Sequence, residues 1–274
     1  QGEHLLLSEI KASEYRFDAD TGTSGHNFRH FKVEGTLILR FVKLTGGKVD
    51  SQKICTGTDT SCKGGAILVF GGQAQLKVFG SIFAGCIRTS PSTIPSVDVC
   101  ATYGGSIYIN SSSHIILANS TFEYNQASVE GGAIYIGKTA VTSTIKLQKI
   151  EQTIFVLNFV TGIANDDGSF SKPGRGGAIF NNGDIDIVSS TFESNKVVVD
   201  IDGCAGGGIF NDGNLNITES RFVSNEVMSI DGTSAAGTGG ALHGGGGHII
   251  LAECEFTSNK VSLPFYGGHI YKRS

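Results

Sequence analysis

Seven copies of one four-residue pattern, a pair of glycines, a variable position and a branched aliphatic residue, recur along the chain. They are Gly64-Gly65-Ala66-Ile67, Gly104-Gly105-Ser106-Ile107, Gly131-Gly132-Ala133-Ile134, Gly176-Gly177-Ala178-Ile179, Gly206-Gly207-Gly208-Ile209, Gly239-Gly240-Ala241-Leu242 and Gly267-Gly268-His269-Ile270. A second pattern, Phe-x-x-Asn, alternates with the first: Phe122 to Asn125, Phe155 to Asn158, Phe192 to Asn195, Phe222 to Asn225 and Phe256 to Asn259, with Phe83 and Cys86 in the preceding slot. Between them lie short alternating runs such as Leu76-Lys77-Val78 and Ile185-Asp186-Ile187, which read as strands. Successive glycine pairs are 27 to 45 residues apart, and most of the variation follows Phe-x-x-Asn. A helical repeat, whose packing fixes its length, does not tolerate that spread, whereas stacked β-coils with loops leaving at one corner do. The expectation is an all-β, right-handed parallel β-helix of about seven coils, three short strands in each, over residues 33–274. Residues 1–32 are expected to form an N-terminal cap or docking segment. At about 4.8 Å per coil the rod is about 34 Å long.

Composition agrees. Of 274 residues, 39 are Gly and four Pro, too little proline for collagen, and 39% are hydrophobic, too many for a disordered chain. A net charge of −4 without any Lys/Arg run argues against a nucleic-acid partner. No apolar run is long enough to span a bilayer. The first residues lack the blocks of a signal peptide and the chain opens on Gln1, as expected of a processed product or a segment of a longer polypeptide.

Stacking turns equivalent positions into columns. Ile67, Ile107, Ile134, Ile179, Ile209, Leu242 and Ile270 form one apolar column, and Phe83, Phe122, Phe155, Phe192, Phe222 and Phe256 another; both are assigned to the core. Ser81, Ser120, Thr153, Ser190 and Ser220, with Cys254 in the sixth coil, form a small polar column able to link coils through hydroxyls. Asn125, Asn158, Asn195, Asn225 and Asn259 are expected to form an amide ladder at a turn.

Six cysteines, with no CxxC pair and no His at zinc-ligand spacing, read as disulfides. Closeness favours Cys55 with Cys62 and Cys86 with Cys100, leaving Cys204 with Cys254 by elimination. Three sequons, at Asn110, Asn119 and Asn216, predict N-linked glycans on a secretory route.

On its Gly-Gly-Ala-Ile and Phe-x-x-Asn motifs, residues 33–274 resemble the repeats of the chlamydia-type polymorphic outer-membrane proteins. Val33-Glu34-Gly35-Thr36-Leu37-Ile38-Leu39 with Leu44-Thr45-Gly46-Gly47 looks like the opening coil of such domains. The resemblance implies a pectin-lyase-like β-helix, and such repeats occur in adhesins, autotransporter passengers and surface proteins of eukaryotic microbes. Sequons and paired cysteines point to an extracellular location.

Enzymes with this architecture need clustered acids. Asp166-Asp167 with Arg175, and Asp200 with Asp202, lie in variable loops and read as solvated loop residues; His243, His248 and His269 read as surface or stacked histidines, not a metal site. No catalytic residue, cofactor or metal is expected.

The residue after each aliphatic position is large too: Leu68, Tyr108, Tyr135, Phe180, Phe210, His243 and Tyr271. Three explanations compete: a self-contained aromatic stack, a platform for sugar rings, or a lateral interface covered by another chain. The covered interface is favoured, with Tyr108, Tyr135, Phe180, Phe210 and Tyr271 as candidates. The chain stops one strand into a new coil, and Leu5 to Ile10 is apolar, so head-to-tail contact with copies of itself or related β-helix chains is expected as well. The resulting expectation is a non-enzymatic extracellular structural or adhesive subunit of a surface filament or coat. The alternative is a polysaccharide-binding or polysaccharide-cleaving β-helix.

Overall fold

In each coil the chain runs through short strands that find their hydrogen bonds only in the coils above and below, so length matters less than register. The computed structural model describes residues 8–11, 29–47, 49, 61–72, 74–85, 101–111, 113–138, 148–161, 163–164, 170–198, 203–228, 237–262 and 268–272. Their strands form four parallel sheets, the walls of a parallel β-helix. The aliphatic motif supplies an eight-stranded sheet from Phe31–Val33 through Ile134–Ile136 to Ile270–Lys272. The alternating runs form a seven-stranded sheet, here the spine sheet, from Thr36–Arg40 to Ile249–Ala252. The Phe motif forms an eight-stranded sheet that ends on Glu255–Thr257.

A fourth, six-stranded sheet follows the asparagine turn and includes Gln126–Glu130, Phe159–Val160, Lys196–Val198 and Glu226–Met228. The expected three strands per coil are therefore four. These segments repeat a single position, the residue two after each asparagine (Ala127, Val160, Val197, Val227 and Val261), and qualify as strands through their neighbours. Their outward positions include the stacked triad Lys196, Glu226 and Lys260, in which both ammonium groups reach the buried carboxylate at 3.5 and 3.0 Å.

The first coil starts slightly earlier than residue 33: His30 and Phe31 donate their amides to Ala66 O, as each later coil does to the next. Ser8–Lys11 pairs in parallel with Val42–Thr45 and so extends the Phe sheet of its own chain by one strand. The insertion between Val160 and Gly176 carries a small antiparallel pair, Ile163–Ala164 with Phe170–Lys172.

Like stacks on like throughout. Phe83, Phe122, Phe155, Phe192, Phe222 and Phe256 form a continuous interior stack with centroids 4.6–5.1 Å apart and planes within 13° of parallel. The Ile column faces it, buried from Ile67 to Leu242. Each hydroxyl of the Ser/Thr column donates to the carbonyl two residues back, and Ser120, Ser190 and Ser220 also accept the amide of the preceding coil's column residue.

The corners are built from left-handed residues. Phe41, Asn119, Gln152, Ser189, Glu219 and Glu253 between the spine and Phe sheets, and Tyr124, Leu157, Ser194, Ser224 and Ser258 before the asparagines, have φ of 46–56°. Such φ values strain residues with a Cβ. The corner amides nevertheless continue the inter-coil ladder, as in Asn119 N to Glu151 O and Leu157 N to Glu193 O, and this holds the strained backbone in place.

Candidate functional site

The second residue of each strand in the Ile sheet points away from the core, and here the structure places the aromatic column. Tyr108, Tyr135, Phe180, Phe210, His243 and Tyr271 stack face to face, with centroids 4.7–5.3 Å apart and planes 3–22° from parallel. Parallel register produces this: Tyr135 pairs with Tyr108 on one side and Phe180 on the other, and Phe210 with His243.

This stripe is not the open face that the sequence suggests. Tyr108, Phe180 and Phe210 are 8%, 4% and 6% exposed. A flanking column covers it, made of the residue just before each glycine pair: Lys63, Tyr103, Glu130, Arg175, Ala205 and Thr238, linked by parallel bridges that include Glu130 to Arg175 and Arg175 to Ala205. The left-handed turn at the first glycine swings this residue back over the rings. Lys63 Nζ lies 5.2 Å from the Tyr108 ring centre, and the Arg175 guanidinium 5.1 Å from that of Phe210. Tyr103 meets Tyr135 edge to face at 5.8 Å, and Thr238 Oγ1 shares a 2.7 Å hydrogen bond with His243 Nδ1. Ala205 packs with Phe180 and Phe210. Of the candidate interface residues, Tyr108, Phe180 and Phe210 are thus covered within their own chain, while Tyr135 and Tyr271 keep partial exposure; the glycine turn supplies a cover that a strand-by-strand reading does not see.

Electrostatics follow from that burial. Loss of water pushes the Tyr108 phenol up to about 12, with Tyr103 and Glu130 opposing a further negative charge. Tyr135 and Tyr103 are also raised, chiefly by burial and then by their charged neighbours. Arg175 pairs with Glu130 at 3.6 Å. The one cation that a lyase reading offers as base is therefore engaged by an acid and a ring.

The asparagine column is a continuous ladder. Each Nδ2 donates to the Oδ1 of the next coil's asparagine at 2.8–3.0 Å and to the phenylalanine carbonyl of the coil before, from Asn125 to Asn225. Asn259 receives the last of these bonds, and its Nδ2 donates to Phe222 O. A second pair was not anticipated: Asn181 Nδ2 donates to Asn211 Oδ1 at 2.6 Å inside the Ile sheet. The Asn-Asn-Gly and Asn-Asp-Gly turns at 181–183 and 211–213 are its only sequence signal.

The sequons fall on one side of the rod. Asn216 lies on the outward face of the spine strand Asn214–Thr218, paired with Asp186 and Ile250; Asn110 follows the strand Ile107–Ile109 that leads into this sheet; exposed Asn119 occupies the corner where it ends. Among the cysteines, Cys62 is disulfide-bonded, while Cys55, Cys86 and Cys100 lie outside the described residues. The expected pairing of Cys204 with Cys254 is corrected: the structure does not join them to one another. Cys204 packs with Val197 and Val227 on the fourth wall, whereas Cys254 takes a serine's place, its Sγ donating to Ala252 O and Ile217 O. They belong to different columns, so elimination misassigned them. Asp166, Asp167, Asp200 and Asp202 lie outside the described residues. Among the described residues no helix is long and apolar enough to cross a membrane.

Residues 119–137, which run from the corner Asn119 through Phe122, Asn125 and Gly131-Gly132 to the end of the next Ile-sheet strand, match the Chlamydia polymorphic membrane protein repeat. No curated protein and no solved structure matches the chain.

Proposed function

We propose that this β-helix is a non-enzymatic structural or adhesive module displayed at a cell surface, where it associates with copies of itself or related β-helix chains. The observation that carries the reading is the unbroken run of ladders: phenylalanine rings, asparagine amides, hydroxyls and outer rings each continue from coil to coil. Such columns spend their polar groups on each other and yield a stiff, extended scaffold. The match to a polymorphic membrane protein repeat supports a surface location.

N-linked sugar at Asn110, Asn119 and Asn216 would sheathe the spine side and its corner with the Phe sheet, and leave the corner before the asparagines bare. Tyr124 and Leu157 stand at that corner and Ile154 opens the strand that leads to it, in adjacent coils, 45%, 36% and 44% exposed. With much of the outer aromatic column already covered, these three are the better lateral contact for a second copy.

The test is the whole chain secreted from a eukaryotic host, followed by analytical ultracentrifugation and electron microscopy. Side-by-side association that Ile154→Lys abolishes and Ile250→Lys leaves intact is the expected result, with glycopeptides at the three sequons. Turnover of uronic-acid polymers that is lost in Asp166→Ala, Asp167→Ala or Arg175→Ala would overturn the reading in favour of a polysaccharide-cleaving enzyme.

A further inference from the structure

In a parallel β-helix the column fixes what stands beside any surface residue, and each of the three sequon asparagines has a large apolar side chain in its own column. Asn216 pairs directly with Ile250 of the next coil. Ile250 is 61% exposed, the highest value among the described large hydrophobic residues. Asn110 continues the pairing of Ile107–Ile109 with Ile67–Val69 by one residue and so stands beside Phe70: Asn110 N donates to Val69 O, as Phe70 N does to Val33 O. Phe70 is half-buried, with the Lys32 ammonium of the coil before it 6.0 Å from its ring centre.

At Asn119 the apolar neighbour reaches across a glycine. Phe41, Gly80 and Asn119 occupy the same corner in successive coils, their amides donating to Phe79 O, Ala118 O and Glu151 O. A Cβ added at Gly80 would lie 2.6 Å from Phe41 Cδ1 and Cε1. The ring therefore fills the side-chain space of the coil between, and one coil spacing of about 4.8 Å separates that space from Asn119. Phe41 is 40% exposed, and beyond Asn119 the column is polar: Gln152, Ser189, Glu219 and Glu253. Tyr124, Ile154 and Leu157, the exposed apolar residues on the other side, have no sequon in their columns.

We propose that Ile250, Phe70 and Phe41 are seats for the innermost N-acetylglucosamine at Asn216, Asn110 and Asn119, which makes the first sugar of each glycan part of the folded surface. Attachment replaces one Nδ2 hydrogen by C1 of the sugar, and the pyrophosphate of the host's lipid-linked donor leaves with the electron pair. Every ring substituent of this sugar is equatorial. Both of its faces are therefore bare C–H, able to lie on an aromatic ring or a branched aliphatic chain and take it out of water. Exposed apolar groups that stand beside sequons are in this way separated from those left bare for protein contact. The inference rests on the surface reading above for the presence of sugar, and adds to it a structural contact for that sugar.

Calorimetry of the whole chain secreted from a eukaryotic host tests it. Thr218→Val and Thr121→Val remove the sequons of Asn216 and Asn119 and leave both asparagines in place. Ile250→Ala is expected to lower the melting temperature by about 2–4 °C more in the glycosylated chain than in the Thr218→Val background, and Phe41→Ala to do the same relative to Thr121→Val. Trimming every glycan to its first sugar with an endoglycosidase is expected to preserve both differences. Ile38 is 50% exposed but has Lys77 beside it in place of a sequon, so Ile38→Ala is expected to act equally in all forms. Equal shifts with and without sugar, or bare asparagines in the secreted protein, would overturn the proposal. Absence of lateral association would count against the surface reading and leave the melting differences as they are, so the two fail separately.

Discussion

At Gly176 the chain needs a positive φ, and at Gly177 it needs the absence of a Cβ. Gly176 sits at φ +67°, and a side chain there would also run into Ile179 O; Gly177 has ordinary φ, but an added Cβ would overlap Gly207 O and the Lys196 backbone. The other left-handed corners tolerate Tyr124, Leu157 or Ser194 because their side chains leave the rod, so the demand for glycine is set by crowding as much as by φ. Gly177→Ala is therefore expected to cost at least about 3 kcal/mol, since only backbone can move out of the way. Gly72→Ala, where a Cβ meets nothing within 4 Å, is expected to stay within about 0.5 kcal/mol of wild type. Chemical denaturation of the two variants checks the contrast. Cys254 teaches a related lesson at the same scale. An even number of cysteines suggests complete pairing, yet this one stands in for a serine, so Cys254→Ser is expected to leave stability unchanged or raise it slightly, and the unreduced protein to offer an alkylatable thiol at Cys254 on unfolding.

Among the elements, the ladders that repeat a motif are legible in the sequence and the strands that repeat a single position, as those of the fourth wall do, are not. Asn195 shows why the motif is strict. Its Oδ1 accepts from Asn158 N and Nδ2, and its Nδ2 donates to Asn225 Oδ1 and Phe155 O. Asn195→Ala strands these buried partners and is expected to destabilise by about 3 kcal/mol or more, measured by thermal and denaturant unfolding. Phe159–Val160 and Lys196–Val198 share no residue type in register except valine, and only the neighbouring coils make them strands. The outer aromatic column gives a pH signature. Below pH 10 the Tyr108 phenol is neutral folded and unfolded; between 10 and about 12 only the unfolded chain ionises, so it binds fewer protons and stability falls as pH rises. Wild type is expected to lose stability through this window more steeply than Tyr108→Phe, with phenolate absorbance developing late in the native protein.

Across the whole molecule, coils are interchangeable because each meets its neighbours with the same columns. Removing 176–205 joins Arg175 to Gly206-Gly207, the same Arg-Gly-Gly junction as before, and brings Ile209 onto Ile134, Phe222 onto Phe155 and Asn225 onto Asn158. That deletion is expected to fold, with a melting temperature lowered by only a few degrees. Removing 176–190 alone, half a coil, faces the Phe-sheet strand where an Ile-sheet strand belongs, and is expected to abolish cooperative unfolding; circular dichroism and calorimetry on the two deletions separate these outcomes. The sequence by itself determined the coil period and the content of each column, because stacking sets position n of one coil on position n of the next and so writes tertiary contacts as a linear repeat. Only the tertiary structure decided what lies beside each column: the cover of Lys63, Tyr103, Glu130 and Arg175 over the rings, the separation of Cys204 from Cys254, and the fourth wall. Those relations run around the coil and not along it, and they depend on corner dihedrals near +50° to +70° that residues as different as Glu, Leu and Gly adopt here.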